Sequence, residues 1–130
     1  MAKMLGVWMN INNPGRSAQD DLNLTAGGTI VLTAADVAKL VPGQLFAVRI
    51  KVMDDDSFSD DLVHTDESFS VGVHDTDPKQ FFVGVIVPRQ KLRDSEPSFE
   101  STAEIYCRVS ARSGNISTNQ ANSQTEDVKI

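Results

Sequence analysis

Apolar and polar residues alternate with a period of two along much of the chain, which is the pattern of β-strands with one buried face. The alternation is clearest in Leu45–Met53 and in Ala103–Val109. In the second segment Cys107 falls in the apolar phase, so we expect a buried thiol. Phe81–Val87 is apolar in both phases. That pattern predicts a central strand, or a strand with one face covered by a partner, and we expect it to be the most buried strand.

Weaker strand patterns occur elsewhere, and clusters of Gly, Pro and Asn separate them. They cover Leu5–Ile11, Gly28–Leu32 and Ser68–Val73. Short strands with frequent turns are typical of an all-β fold, here an antiparallel β-sandwich of about six to eight strands. The residues in the inward phase form the expected core: Val48, Ile50, Val52, Val71, Val83, Val85, Ile105 and Val109.

One segment has helical periodicity instead. Thr33, followed three residues later by Asp36, resembles a helix N-cap, and Pro42-Gly43 ends the pattern. We therefore expect one short helical turn between these positions.

The chain length sets the domain organisation. With 130 residues there is room for one domain with its own core. We expect a β-sandwich domain over residues 1–112. Residues 113–130 are rich in Ser, Asn, Gln and Thr, which predicts a polar C-terminal tail or a terminal strand.

Charge and cysteine usage restrict the function further. The formal net charge of -6 repels phosphates, so we expect no nucleic-acid partner. A single cysteine excludes an intramolecular disulfide. No segment resembles a signal-peptide core or a membrane span, so we expect cytoplasmic synthesis.

Acidic residues form the densest polar feature. Seven carboxylates occupy two expected loops: Asp54, Asp55, Asp56, Asp60 and Asp61 in the first, Asp75 and Asp77 in the second. Calcium takes six to eight oxygen ligands in proteins, and carboxylates on converging loops supply them. Alternatively the first loop is an Asp-rich solvated turn, since Asp and Ser are good turn residues.

The stretch Val48–Leu62 resembles the strand and third calcium-binding loop of C2 domains, in which an alternating strand ends in Asp-x-Asp and a further Asp follows. The resemblance implies calcium ligands at Asp54, Asp56 and either Asp60 or Asp61. The family has a second acidic loop upstream, whose place Asp75 and Asp77, or Asp20-Asp21, would have to take here.

Phe58 lies at the apex of the acidic loop. In a solvated turn we expect its ring to fold back onto the sheet edge. With calcium bound, the ring could enter a membrane interface, which predicts calcium-dependent binding to anionic lipid. His64 and His74 are weaker candidates for zinc ligands.

The motifs of covalent catalysis, phosphate binding and metalloprotease chemistry are absent from the sequence, so we expect no enzyme. Two non-enzymatic functions remain. The first is a calcium-binding module that binds a lipid headgroup or a protein partner through the acidic loop. The second is an assembly subunit of a phage particle, filament or other protein shell, which the doubly apolar segment Phe81–Val87 favours.

Overall fold

The structure, a computed structural model, describes residues 1–12, 21–55, 60–96 and 101–130. Along the chain the elements are β1 (Lys3–Ile11), β2 (Leu22–Val31), α1 (Ala34–Ala38), β3 (Phe46–Asp54), β4 (Asp61–Val71), β5 (Lys79–Val87), α2 (Arg89–Asp94), β6 (Thr102–Ser113), β7 (Ile116–Ser117), β8 (Ala121–Asn122) and β9 (Glu126–Lys129). The strands form two sheets, and every strand pair is antiparallel. The predicted all-β sandwich is confirmed.

The first sheet has three strands in the order β1-β2-β5. In the second sheet the order is β4-β3-β6, and β7, β8 and β9 each pair with β6. Residues 113–130, expected as a polar tail or a terminal strand, thus contribute three short strands along β6. The boundary expected after residue 112 falls inside β6.

The core lies between the two sheets and is built from the inward phase of each strand. Seven of the eight residues predicted for it are buried, and Val71 is half-buried. Cys107 is also buried, as the alternation predicted. Inward phases could be read from the sequence because a strand with one wet face must alternate.

The predicted helical turn is α1, and Thr33 is its N-cap. Thr33 Oγ1 accepts a hydrogen bond from Asp36 N at 3.2 Å, and Asp36 Oδ2 accepts one from Thr33 N at 2.9 Å. This reciprocal pair satisfies two backbone donors that the helix itself leaves open. The second helix, α2, was not predicted. Within the described ranges, neither helix is long and apolar enough to cross a membrane.

The prediction that Phe81–Val87 is the most buried strand is wrong. β5 lies at the edge of the three-stranded sheet, and Phe82, Gly84 and Ile86 are exposed on its outer side. Apolar residues in the outer phase show that the outer side of the strand is uncharged, but they do not show that another layer covers it. Because such a layer would come from other parts of the chain, the local pattern could not predict whether β5 is buried on both sides.

Candidate functional site

The acidic segment lies where β3 ends and β4 begins. Asp54, the last residue of β3, pairs directly with Asp61, the first residue of β4. Asp54 follows the inward phase of Val52, and only 1% of its surface is exposed. Its Oδ1 atom has no hydrogen-bond partner among the described residues. A buried oxygen without a donor, opposite a second carboxylate, is unfavourable unless a cation offsets the charge.

Asp60 is held by a protein partner. Tyr106 Oη donates a hydrogen bond to Asp60 Oδ2 at 2.5 Å, and Arg108 Nη2 donates one to Tyr106 Oη at 3.1 Å. The alternation placed Tyr106 on the outer side of β6, but these contacts and the Arg108 guanidinium, 5.7 Å from the ring centroid, leave the residue buried. Burial, and then the bond to Asp60, raise the pKa of Tyr106 to about 12 despite the opposing charge of Arg108.

Asp75 and Asp77 lie at the other end of β4. This strand has 11 residues, so its ends are separated by about 30 Å at the usual rise per residue. Asp75 Oδ1 accepts a hydrogen bond from Asp77 N at 3.0 Å, which is an ordinary turn contact. The structure therefore does not bring Asp75 and Asp77 together with Asp54, Asp60 or Asp61.

Asp20, Asp56 and Phe58 lie outside the described residues. In the part of the chain that the structure does describe, no three His, Cys, Asp or Glu side chains are grouped so as to hold a metal ion. Asp54 and Asp61 alone fall short of the six to eight oxygens that calcium takes. Calcium and anionic-lipid binding therefore stay predictions.

The two histidines do not form a zinc pair. His64 lies near the start of β4, whereas His74 follows the end of that strand, about 30 Å away at the usual rise. Lys91 Nζ is 2.9 Å from His64 Nδ1. Burial, and then the charge of Lys91, lower the pKa of His64 below its usual value, although Asp66 acts in the opposite direction.

Cys107 has no exposed surface, and burial raises the pKa of its thiol to about 12. The Sγ atom of Cys107 lies 3.4 Å from the sulfur atom of Met9. A nucleophilic cysteine needs a thiolate that a substrate can reach. The thiol of Cys107 is buried and has a raised pKa, so it acts as a core side chain.

The outer side of the three-stranded sheet carries a second feature, which begins with a bulge in β1. The register with β2 shifts between Leu5 and Trp8, and Gly6 lies in the left-handed region with φ of 57°, which glycine adopts without strain. One extra residue in β1 reverses the phase of the strand after the bulge. Leu5 and Trp8 therefore lie on the same outer side, although three positions separate them.

Trp8, Gly27 and Phe82 form a row across the three strands, because Gly27 pairs with Trp8 on one side and with Phe82 on the other. The indole of Trp8 covers Gly27: a Cβ atom there would lie 2.5 Å from Trp8 Cε2 and 2.6 Å from the Phe81 carbonyl oxygen. No side chain larger than hydrogen fits at this position without displacing the ring. The absence of a side chain at Gly27 thus leaves the space that the Trp8 indole occupies.

We call Leu5, Trp8, Phe82 and Ile86 the outer apolar face. Their exposed fractions are 47%, 41%, 70% and 60%, which amounts to about 400 Å² of apolar surface given the usual sizes of these side chains. The outer positions of β2 between them are Asn23, Thr25 and Thr29, all uncharged. An apolar surface of this extent is about as large as the largest patch that a typical monomer exposes, and such patches are often functional.

Sequence reasoning missed this face. The doubly apolar pattern of Phe81–Val87 was the signal for its β5 half, and a partner covering one side of that strand was among the expectations. The β1 half could not be found from a strict period of two, because the bulge at Gly6 reverses the phase before Trp8.

Comparisons with known proteins leave the family open. No protein-family model matches the chain, and no curated protein matches it. Among solved structures the chain is similar to the X-ray structure of Northeast Structural Genomics Consortium target SoR45, with a TM-score of 0.44 and 8% sequence identity over 99% of this chain and 86% of that chain. A likeness this distant carries no argument about function.

Proposed function

We propose that this protein is a non-enzymatic assembly subunit that binds further copies of itself through the outer apolar face. The observation that carries the proposal is the exposure of Phe82, Ile86 and Trp8 on the same side of the three-stranded sheet. Burying aromatic and branched side chains of this kind is the main favourable term in protein association.

Charge favours this face as the contact between copies. Each copy has a net charge of -6, so two copies repel each other over most of their surfaces. On the described strands, the outer positions between Leu5 and Ile86 carry no charge; Lys3 lies beyond Leu5, and Asp21 precedes β2 beyond Ile86. The centre of the face therefore lets two copies meet without placing carboxylates against one another.

The area of the face indicates how strong one contact would be. About 400 Å² of apolar surface per copy is less than the roughly 800 Å² that each partner buries in a standard interface. A single contact of this size is weak, which suits a subunit that is held in an array by several contacts. Trp8 adds some specificity, because packing against Gly27 fixes the orientation of its ring before binding.

The test is sedimentation velocity over concentrations from about 1 µM to about 1 mM, the range in which a weak contact saturates. Trp8 is the only tryptophan, so its fluorescence emission should shift to shorter wavelength as the face is covered. Phe82→Lys should prevent both changes. Val41→Lys is the matched control, since Val41 is 59% exposed, lies off the outer apolar face and receives the same charge.

A native protein that stays monomeric throughout this range would refute the proposal. So would equal association of the Phe82→Lys and Val41→Lys variants.

Calcium binding at the acidic end is a second candidate function. One observation favours it: the buried Oδ1 of Asp54, without a hydrogen-bond partner among the described residues, beside Asp61. An ion that binds only the folded state raises the melting temperature. We expect calcium at about 1 to 10 mM to raise it relative to chelator. Asp54→Asn should abolish the difference and Asp75→Asn should preserve it; identical native curves with calcium and chelator would end this candidate.

A further inference from the structure

The two edges of the three-stranded sheet differ in what covers them. On β1, Asn119 Oδ1 accepts a hydrogen bond from Met4 N at 2.9 Å, and Gln124 Nε2 donates one to Met9 O at 2.7 Å. Side chains from the C-terminal segment thus satisfy backbone groups of that edge. β5 pairs with β2 on one side, and no other described strand pairs with it. Within the described ranges, its second edge thus has backbone donors and acceptors that no strand pairs with.

β4, the corresponding edge strand of the other sheet, is protected against pairing with another chain. Its register with β3 shifts twice, and each shift leaves an extra residue in β4. It also carries Asp61, Asp66 and Glu67. Bulges and charges of this kind prevent edge strands from pairing with other chains. β5 lacks both: its nine residues pair with β2 without a break, and between Gln80 and Val87 it has no charge and no proline.

The sequence of β5 is complementary to itself in the antiparallel direction. When two antiparallel strands pair about a central residue, positions equally far from the centre lie opposite each other. With Gly84 at the centre, Phe82 of one copy lies opposite Ile86 of the other on the outer side. An aromatic residue opposite a β-branched one is a favourable cross-strand pair.

The inner side agrees with this register. Phe81 lies opposite Val87 of the second copy, and Val83 lies opposite Val85, so only apolar residues of the core meet there. A register centred on Val83 would instead set Lys79 against Val87. Pairing about Gly84 is therefore the arrangement in which both sides of the strand match.

We infer that two copies pair through the free edges of their β5 strands, antiparallel and about a two-fold axis at Gly84, so that their three-stranded sheets join into one. This inference rests on the proposed self-association and adds to it a second contact, at the β5 edge. The joined sheet does not cover the outer apolar faces; it places the faces of both copies side by side, which doubles the apolar surface that further copies can bury. The edge contact itself consists of backbone hydrogen bonds and of Phe82 beside Ile86 across the two-fold axis.

The experiment is disulfide cross-linking by introduced cysteines. Gly84→Cys fits the fold, because a Cβ atom at this position meets nothing within 4 Å. Directly opposed residues of paired strands lie within disulfide reach. Under mild oxidation we expect the Gly84→Cys protein to form a covalent dimer. A mixture of Phe82→Cys and Ile86→Cys proteins should cross-link, whereas each of the two alone should not.

Two controls exclude random collision. The native chain has only the buried Cys107 and should stay monomeric on a denaturing gel. Ser70→Cys places an exposed thiol on β4, the protected edge. We expect at least tenfold less covalent dimer from it than from Gly84→Cys, a difference of about 1.4 kcal/mol if both reach equilibrium.

The outcomes separate this inference from the proposed function. If the native protein associates in sedimentation but Gly84→Cys and the Phe82→Cys and Ile86→Cys mixture give no more cross-link than Ser70→Cys, the β5 pairing is wrong while self-association stands. Efficient cross-linking of Phe82→Cys with itself would overturn the register. A native protein that is monomeric at every concentration would overturn both proposals.

Discussion

Tyr106 Oη lies 2.5 Å from Asp60 Oδ2, and this hydrogen bond joins β6 to the residue that precedes β4. β3 lies between these two strands in the sheet, and Met53 of β3 pairs with Tyr106. The tyrosine therefore reaches across β3 to hold the start of β4. An aspartate that the sequence indicated as a metal ligand thus has a structural partner in Tyr106.

Ionisation of Tyr106 should report this bond directly. Tyr106 is the only tyrosine, so phenolate absorbance follows one group. Its pKa is raised to about 12, against about 10 in an unfolded chain. The folded state thus retains the proton longer, and its stabilising effect is complete below about pH 10 and is lost as the pH rises through about 12.

Asp60→Asn should move this titration to lower pH, because the phenolate then faces a neutral amide. Asp127→Asn, an exposed aspartate on β9, is the control and should leave the curve in place. Unchanged titration of the Asp60→Asn protein would mean that the hydrogen bond is absent in solution.

His64 should make stability depend on pH in the acid range. Its pKa in the folded state is lower than the usual 6.5 because of burial and Lys91. The unfolded chain therefore takes up the proton first as the pH falls. Stability associated with His64 is complete above about pH 6.5 and declines as the pH falls toward the folded-state pKa.

Urea unfolding between about pH 7.5 and pH 5 measures this dependence. His64→Gln should flatten the slope, whereas His74→Gln, at the other end of β4, should keep it. Parallel slopes for native and His64→Gln proteins would contradict the prediction.

Gly27→Ala and Gly84→Ala form a matched pair on neighbouring strands of one sheet. At Gly27 a Cβ atom would lie within 2.6 Å of both Trp8 and the Phe81 backbone, whereas at Gly84 it meets nothing within 4 Å. Overpacking of this kind costs about 1 to 3 kcal/mol of unfolding free energy. We expect Gly27→Ala to lose that amount and to change Trp8 fluorescence, and Gly84→Ala to unfold like the native protein. Similar stabilities for the two variants would show that Trp8 does not rest on Gly27.

Cys107 should react with a water-soluble thiol reagent only after unfolding. The side chain has no exposed surface, and its pKa is raised to about 12 by burial. Little thiolate is therefore present near neutral pH, and what is present is out of reach. Labelling rates with and without denaturant measure this, and rapid reaction of the native protein would place Cys107 outside the core.

Much of the candidate site could not be derived from sequence, and the aspartates show why. Asp54 and Asp75 are both acidic residues in expected loops, and nothing local distinguishes them. In the structure the 11-residue strand β4 separates them, so that they lie near its opposite ends. The first part of β4 contains His64, Asp66 and Glu67. This polar composition did not predict a strand. The segment is extended because its backbone pairs with β3 at the edge of the sheet.

By itself the sequence determined the inward phase of the regularly alternating segments, since a strand with one exposed face buries every second residue. Val48, Ile50, Val52 and Cys107 are buried as that rule requires, and the turn residues between the runs determined an all-β fold. Only the tertiary structure decided which strands lie at edges and which outer phases stay exposed. Phe82 and Ile86 are exposed because no described element covers the outer side of their sheet, and Trp8 lies on that side because one extra residue at Gly6 reverses the phase of β1. Both depend on contacts between segments distant in sequence, which local periodicity does not contain.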